Sequence, residues 1–210
     1  MGNIIELKNI CKSFGDHQIF KDFNLEIPEG DFVCITGESG KGKTTLLNII
    51  GMLEPQDSGS LILDGVVDPR LNSRAGRKLI RNSLFYVFQN YGLVEDRTVK
   101  YNLEVSAYFM NPKPADAFET ALKNVGLDPD FLNKKIYTLS GGEQQRCALA
   151  RMYLKQHKIV LADEPTGSLD EMNRDRVMDI FKRVHESGKT VVLVTHDQEV
   201  AKCANRIVQL

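Results

Sequence analysis

The chain has 210 residues, 42% of them hydrophobic and 26% charged, with a net charge of −1. That length supports a sizeable core in one domain, and the near-neutral balance excludes a general nucleic-acid coat, which needs a marked basic excess. No apolar run approaches the roughly 20 residues of a bilayer span, no signal-peptide segment opens the chain, and Glu6 stands where a myristoylation pattern needs Ser or Thr, so a cytosolic chain is expected that reaches a membrane only through a partner.

In chain order, the first third reads as strand and turn. Residues 4–7 and 25–27 alternate apolar and polar, 32–35 form a short apolar run entering a glycine-rich loop, and 61–63 run into an Asp64-Gly65 turn. Residues 71–82 have helical spacing, with Arg74, Arg77, Lys78 and Arg81 on one face that reads as solvated. Residues 84–88 are a buried-strand run that delivers Gln89. Phe118, Ala121, Leu122 and Val125 make a helical apolar stripe stopped by Gly126 and Asp128-Pro129. The last third alternates: helix from about 142, strand at 159–162, helix from about 173, strand at 191–194. That alternation indicates a parallel sheet with helices on its faces, an α/β fold. Cys11, Cys34, Cys147 and Cys203 form no metal spacing and read as inert thiols in a reducing compartment.

Three stretches carry chemistry. Gly37-Glu38-Ser39-Gly40-Lys41-Gly42-Lys43-Thr44 matches GxxxxGK[ST] between a strand and a helix. There the glycines let backbone N–H groups cradle phosphates, Lys43 reaches the β and γ phosphates, and the Thr44 hydroxyl can ligate Mg²⁺. The apolar strand at 159–162 ends in Asp163-Glu164. Because successive strand residues point to opposite sides, Asp163 can support Mg²⁺ while Glu164 faces an attacking water. Pro165 is expected to hold Glu164 extended. Gln89 and His196 follow two other apolar strands. In open α/β sheets ligands gather at the strands' carboxyl ends, so all these residues should converge on one edge. The set suits phosphoryl transfer to water, with Glu164 as general base, His196 on the γ-phosphate and Gln89 sensing metal and water.

The third stretch is Leu139-Ser140-Gly141-Gly142-Glu143-Gln144-Gln145-Arg146. Ser140 and Glu143 have capping-box spacing, and the glycines uncover amides at a partially positive helix end suited to an anion. Together these motifs resemble the nucleotide-binding subunit of ATP-binding cassette (ABC) transporters, across nearly the whole chain. The resemblance implies a P-loop NTPase (RecA-like) core with an antiparallel β lobe and a helical lobe. As one domain over 1–210, the β lobe would cover about 3–32 and 58–68, the helical lobe about 92–150, and the core 33–57, 69–91 and 151–210. It makes 37–44 the Walker A loop, with Thr45 beside it, Gln89 the Q-loop, 139–143 the signature, 159–163 with Glu164 the Walker B strand, Ser168-Leu169-Asp170 the D-loop and His196 the switch histidine. It puts Phe14 where an aromatic stacks on adenine, although a core Phe fits that position as well.

Within the family, 51–54, 88–90 and 163–170 are most similar to the lipoprotein-release, macrolide-export and bacteriocin-export ATPases (MacB- and LolD-like) and their cell-division relative FtsE. The resemblance implies ATP and Mg²⁺ as ligands, a membrane permease as partner, a location on the inner face of the cell membrane, and a head-to-tail homodimer. In that dimer Ser140, Gly141, Gly142 and Glu143, with Asp170, meet the nucleotide on the P-loop of the other copy. No nucleic-acid partner is expected; an ABC ATPase acting on DNA or ribosomes, or an FtsE-like regulator, is the alternative. Permease coupling is expected just after Gln89, around 91–94. Two departures stand out. Lys41 occupies a P-loop position where Ser is usual, and either adds charge near phosphate or points to solvent. The strand after the switch histidine is brief, because the sequence stops at Leu210.

Overall fold

Phe14-Gly15-Asp16-His17 turns the first strand of the protein back on itself, and Gly15 adopts the left-handed φ of +57° that this reversal requires. The computed structural model describes residues 2–110 and 113–210, so Met1 and, inside the expected helical lobe, Asn111 and Pro112 lie outside the described residues. The order is β1 (Asn3–Phe14), β2 (His17–Pro28), β3 (Phe32–Thr36), α1 (Lys43–Ile50), β4 (Ser58–Leu63), β5 (Val66–Val67), α2 (Arg74–Asn82), β6 (Leu84–Val87), α3 (Val99–Ser106), α4 (Ala117–Asn124), α5 (Gly141–Ala150), β7 (Ile159–Asp163), α6 (Glu171–Glu186), β8 (Thr190–Val194), α7 (Gln198–Ala201) and β9 (Arg206–Gln209). One sheet is antiparallel, in the order β2-β1-β4-β5, and the other parallel, in the order β6-β7-β8-β3-β9. Asp64 and Gly65, both at positive φ, make the two-residue turn that pairs Leu63 with Val66.

The parallel strands divide their side chains between two cores, because alternate residues face opposite sides of a sheet. Phe32, Cys34, Phe85, Val87, Val160, Ala162, Val191 and Leu193 join the helices α3 to α6 on one side. Val33, Ile35, Leu84, Ile159, Leu161, Val192 and Val194 meet α1 and the antiparallel sheet on the other, where Ile5, Leu7, Ile10 and Ile27 are buried. Both faces are covered, which is why these strands read as continuous apolar runs rather than alternating ones. Each fully buried Val, Leu or Ile contributes about 1.5–3 kcal/mol.

The expected elements form with small shifts at their ends. The 71–82 helix starts at Arg74, since the Ser73 hydroxyl accepts from the Gly76 N–H at 2.9 Å and caps it. Of the 118–125 stripe, Ala121, Leu122 and Val125 are buried and Phe118 packs at the edge. Phe88 falls outside β6 and is exposed, its ring stacked on Tyr86 at 4.4 Å. Burial pushes the Cys34 and Cys147 thiols up to about 12, so both stay protonated at neutral pH. Among the described residues no helix is long and apolar enough to cross a membrane.

Candidate functional site

β3, β6, β7 and β8 run parallel, so the segments that leave their carboxyl ends meet at one edge of the sheet. A cleft of about 600 Å³ opens there, lined by Phe14, Ile19, Ser39, Gly40, Gly42, Lys43, Thr44, Thr45, Gln89, Glu164, Gly167, Ser168 and His196. Phe14, at the end of β1, is half exposed rather than a core residue, with the Lys12 ammonium 4.9 Å from its ring centre.

The loop after β3 owes its path to glycine. Gly40 and Gly42 have φ of +82° and +90°. Gly42 ends the loop as the N-cap of α1, with no side-chain cap and no acidic residue in the first turn. The N-termini of α2, α3, α5, α6 and α7 are capped by the side chains of Ser73, Thr98, Ser140, Asp170 and Asp197. The first amides of α1 thus remain available to an anion at the positive end of the helix. Lys43 Nζ is held over the loop by the carbonyls of Gly37 at 2.8 Å and Glu38 at 3.0 Å. Gly37 and Lys41 do not line the cleft. A Cβ on Gly37 would meet the Leu210 carbonyl oxygen at 3.0 Å, and exposed Lys41 reaches 3.9 Å from Glu38.

Asp163 is buried and does not line the cleft, but its Oδ1 accepts from the hydroxyl of Thr44, which does, at 3.1 Å. Burial pushes the Asp163 carboxyl up; the Thr44 hydrogen bond opposes this, the Glu164 charge adds to it, and the Lys43 charge opposes it. Glu164 does not take the extended conformation expected from Pro165. Its φ is +44°, because the chain turns there: the Glu164 N–H donates to the Val194 carbonyl at 3.0 Å and its own carbonyl accepts from the Gly167 N–H at 3.3 Å. A non-glycine residue in that region carries backbone strain of about 1–3 kcal/mol, characteristic of functional positions. The carboxylate accepts from Thr195 Oγ1 at 3.3 Å and lies 2.9 Å from His196 Nδ1. A carboxylate only accepts, so Nδ1 carries the proton and Nε2 is the free ring nitrogen of this exposed histidine. Gln89 enters the cleft from the turn after β6.

Ser140, Gly141, Gly142 and Glu143 lie outside this cleft. They begin α5 with a complete capping box: Ser140 Oγ accepts from the Glu143 N–H at 3.4 Å, while Ser140 N–H and Oγ–H donate to Glu143 Oε2 at 2.7 and 2.8 Å. The Ser140 backbone bond, chief among its contacts, holds the Glu143 carboxyl below its usual range. A Cβ on Gly142 would fall 2.6 Å from Asn173, so glycine permits the close approach of α5 to α6. Asn173 accepts from Arg146 at 2.7 Å and donates twice to Asp170, which caps α6 and likewise lies outside the cleft. Sequence reasoning missed this clasp, and it named Tyr91 only within the coupling segment, without the contact that its hydroxyl makes 3.1 Å from Ser168 Oγ. It left Thr195 unassigned beside its better-marked neighbour His196. In the expected coupling segment, Leu93 is half-buried against the core and Val94 is exposed.

The model of the ABC transporter family matches residues 20–167. The macrolide export ATP-binding/permease proteins MacB of Aggregatibacter actinomycetemcomitans and of Neisseria meningitidis serogroup B are each 39% identical over 99% of this chain. The chain spans 33% of the length of each. The dimeric structure of MJ0796, a bacterial ABC transporter cassette, superposes with a TM-score of 0.89 at 38% identity, covering 98% of this chain and 94% of that one. Its post-hydrolysis dimer bound to ADP and Pi gives 0.88 at 37% over the same shares. The chain belongs to the ABC transporter family, as an ATPase cassette of that family.

Proposed function

We propose that the chain binds ATP with Mg²⁺ on its P-loop and hydrolyses it as the motor of a membrane transporter, working as a head-to-tail pair. One observation carries the reading. The cleft holds loop, acid and histidine while the LSGGE helix start lies outside it, which supports its facing a phosphate held by another copy. The solved relatives are described as dimeric, which supports that arrangement.

Thr44 and Asp163 would hold the metal, since a hydroxyl and a buried carboxylate 3.1 Å apart are hard oxygen donors. Among the described residues no group of three or more His, Cys, Asp or Glu could hold a metal. Mg²⁺ would be completed here by phosphate oxygens and water. When bound, Mg²⁺ supplies neutralisation of charge on the phosphates. Loop amides and Lys43 position the β and γ phosphates, and Phe14 offers a ring for the base. Glu164 accepts the proton of the attacking water, steadied by Thr195 and His196, while His196 Nε2 and Gln89 orient water and γ-phosphate. Ser140 and the amides of 141–143 would close on the partner's nucleotide, with Asp170 holding that helix pair in register.

By likeness to the MacB relatives, named as ATP-binding/permease proteins, the partner is a membrane permease and the chain works at the inner face of the cell membrane. The subgroup reading places it among macrolide-export and lipoprotein-release types. Glu164→Gln tests the central assignment: ATP binding stays while turnover falls about 10²–10⁴-fold, the usual contribution of a general base. Parental turnover in this variant would sink the general-base role.

A further inference from the structure

A cavity of about 900 Å³, larger than the P-loop cleft, lies at the opposite edge of the parallel sheet. It opens at the amino ends of β6, β7 and β8 and is lined on its other side by the segment after α3 and the end of α4. Its lining includes Arg81, Lys123, Lys155, His157, Arg183 and Lys189, and no Asp or Glu. Among the described residues, none of these six has a carboxylate within salt-bridge distance. In a chain of net charge −1, that concentration of uncompensated cations is local and one-sided.

A second observation also points to a ligand. His157 is 8% exposed, and its Nδ1 is 2.8 Å from the Lys155 carbonyl, to which it must donate. Nε2 of that ring is buried without a hydrogen-bond partner. Burial, with the Lys189 and Lys155 charges, lowers His157 to about 4, and burial with the Arg151 charge lowers Lys155 to about 8. Both shifts arise first from burial, with the neighbouring positive charges adding to it. The walls are not wholly polar: the Arg81 guanidinium lies 4.0 Å from the Phe109 ring centre at the rim, and Met152 and Val184 reach the interior. The volume falls within the range of small-ligand sites, about 300–1,000 Å³.

We propose that this cavity binds a multiply phosphorylated organic anion of about nucleotide size, at a site distinct from the P-loop cleft. Guanidinium and ammonium groups supply the charge-assisted donors that phosphate oxygens require, and the Phe109 rim accepts an apolar or ring portion. The strands that end at Gln89, Glu164 and His196 begin at this site, roughly 20 Å away along β7. The chemistry fits both a soluble organic phosphate and a phospholipid headgroup.

The test uses the full chain without nucleotide, in the parent and in Lys43→Ala, whose disabled P-loop leaves the probe only the second site. Amine acetylation of Lys155 and Lys189 is read by mass spectrometry, with exposed Lys202 as the reference. Inositol hexakisphosphate is one probe and phosphatidylcholine vesicles carrying phosphatidylinositol 4,5-bisphosphate are the other. Selective protection of Lys155 and Lys189 by the soluble probe supports a free organic phosphate, and by the vesicles a lipid headgroup. Arg81→Gln should weaken that protection about tenfold while leaving ATP-analogue binding and the melting temperature as in the parent. Unchanged labelling with both probes overturns the proposal, as does equal protection of Lys202 or undiminished protection in Arg81→Gln. Protection that appears only when a permease is reconstituted with the chain also overturns it, by giving the cavity to an acidic segment of that protein.

Discussion

Gly42→Ala tests the geometry of the phosphate loop from the inside. A Cβ at this position lies 2.3 Å from Ile19 Cγ2 and 2.9 Å from Phe20 Cζ, so the loop is wedged against β2. The φ of +90° adds backbone strain of about 1–3 kcal/mol for any L side chain. Overpacking against the two side chains adds a further 1–3 kcal/mol or so. The expected loss of about 2–6 kcal/mol is a large share of a stability near 5–15 kcal/mol. Urea unfolding should show it as a midpoint lower by about 1 M or more, with ATP affinity falling because the loop must shift to relieve the contact. Ile19→Ala removes the nearest clashing atom, so the double variant should be more stable than the sum of the single effects predicts. A parental midpoint in Gly42→Ala, or strict additivity in the double variant, would refute the wedge.

Ser140→Arg should keep ATP binding by isolated subunits and abolish turnover, at a stability cost of about 1 kcal/mol from the lost cap; loss of labelled-ATP binding by the monomer would show that Ser140 serves its own chain's nucleotide. Val94→Asp should weaken permease co-purification while the isolated subunit turns over ATP normally, and intact co-purification would move the coupling surface elsewhere. Because His157 is held neutral in the fold at about 4, the unfolded chain takes up its proton first as pH falls below about 6.5. Stability should therefore decline from pH 6.5 toward 4, by up to about 3 kcal/mol from this group. His157→Phe should flatten that decline, and an unchanged slope would be evidence against the assignment.

Much of the cleft was legible because its residues follow strands. An apolar run ending in Asp163-Glu164 or Thr195-His196 announces both the strand and the edge to which it delivers. The conformation of Glu164 was not legible. Proline at 165 disfavours only the right-handed helical region, while the bond to the Val194 carbonyl, set by a strand thirty residues away, selects the left-handed one. At Asp170 only the motif position was legible: that its carboxylate also caps α6, with Asn173 on both oxygens, depends on where that helix begins. The basic cavity left only a faint trace. Arg81, His157 and Lys189 each precede an apolar strand, but nothing local reveals that parallel pairing gathers them. Arg81 was read as part of a solvated face, and Phe109 draws it from there to the cavity rim.

The two-sided core of β7 bears on how this chain can vary. Val160 and Ala162 belong to one core, Ile159 and Leu161 to the other, and Asp163 reaches Thr44 only at the end of that alternation. Substituting one aliphatic residue for another changes a volume. Deleting or inserting one residue exchanges every side chain between the two cores and turns the carboxylate away from the loop. Lineages descended from such a sequence can therefore drift in composition along this strand but not in its length. Insertions would accumulate instead in the exposed turns beyond the cleft, leaving the interval from Ile159 to Glu164 as a fixed spacer.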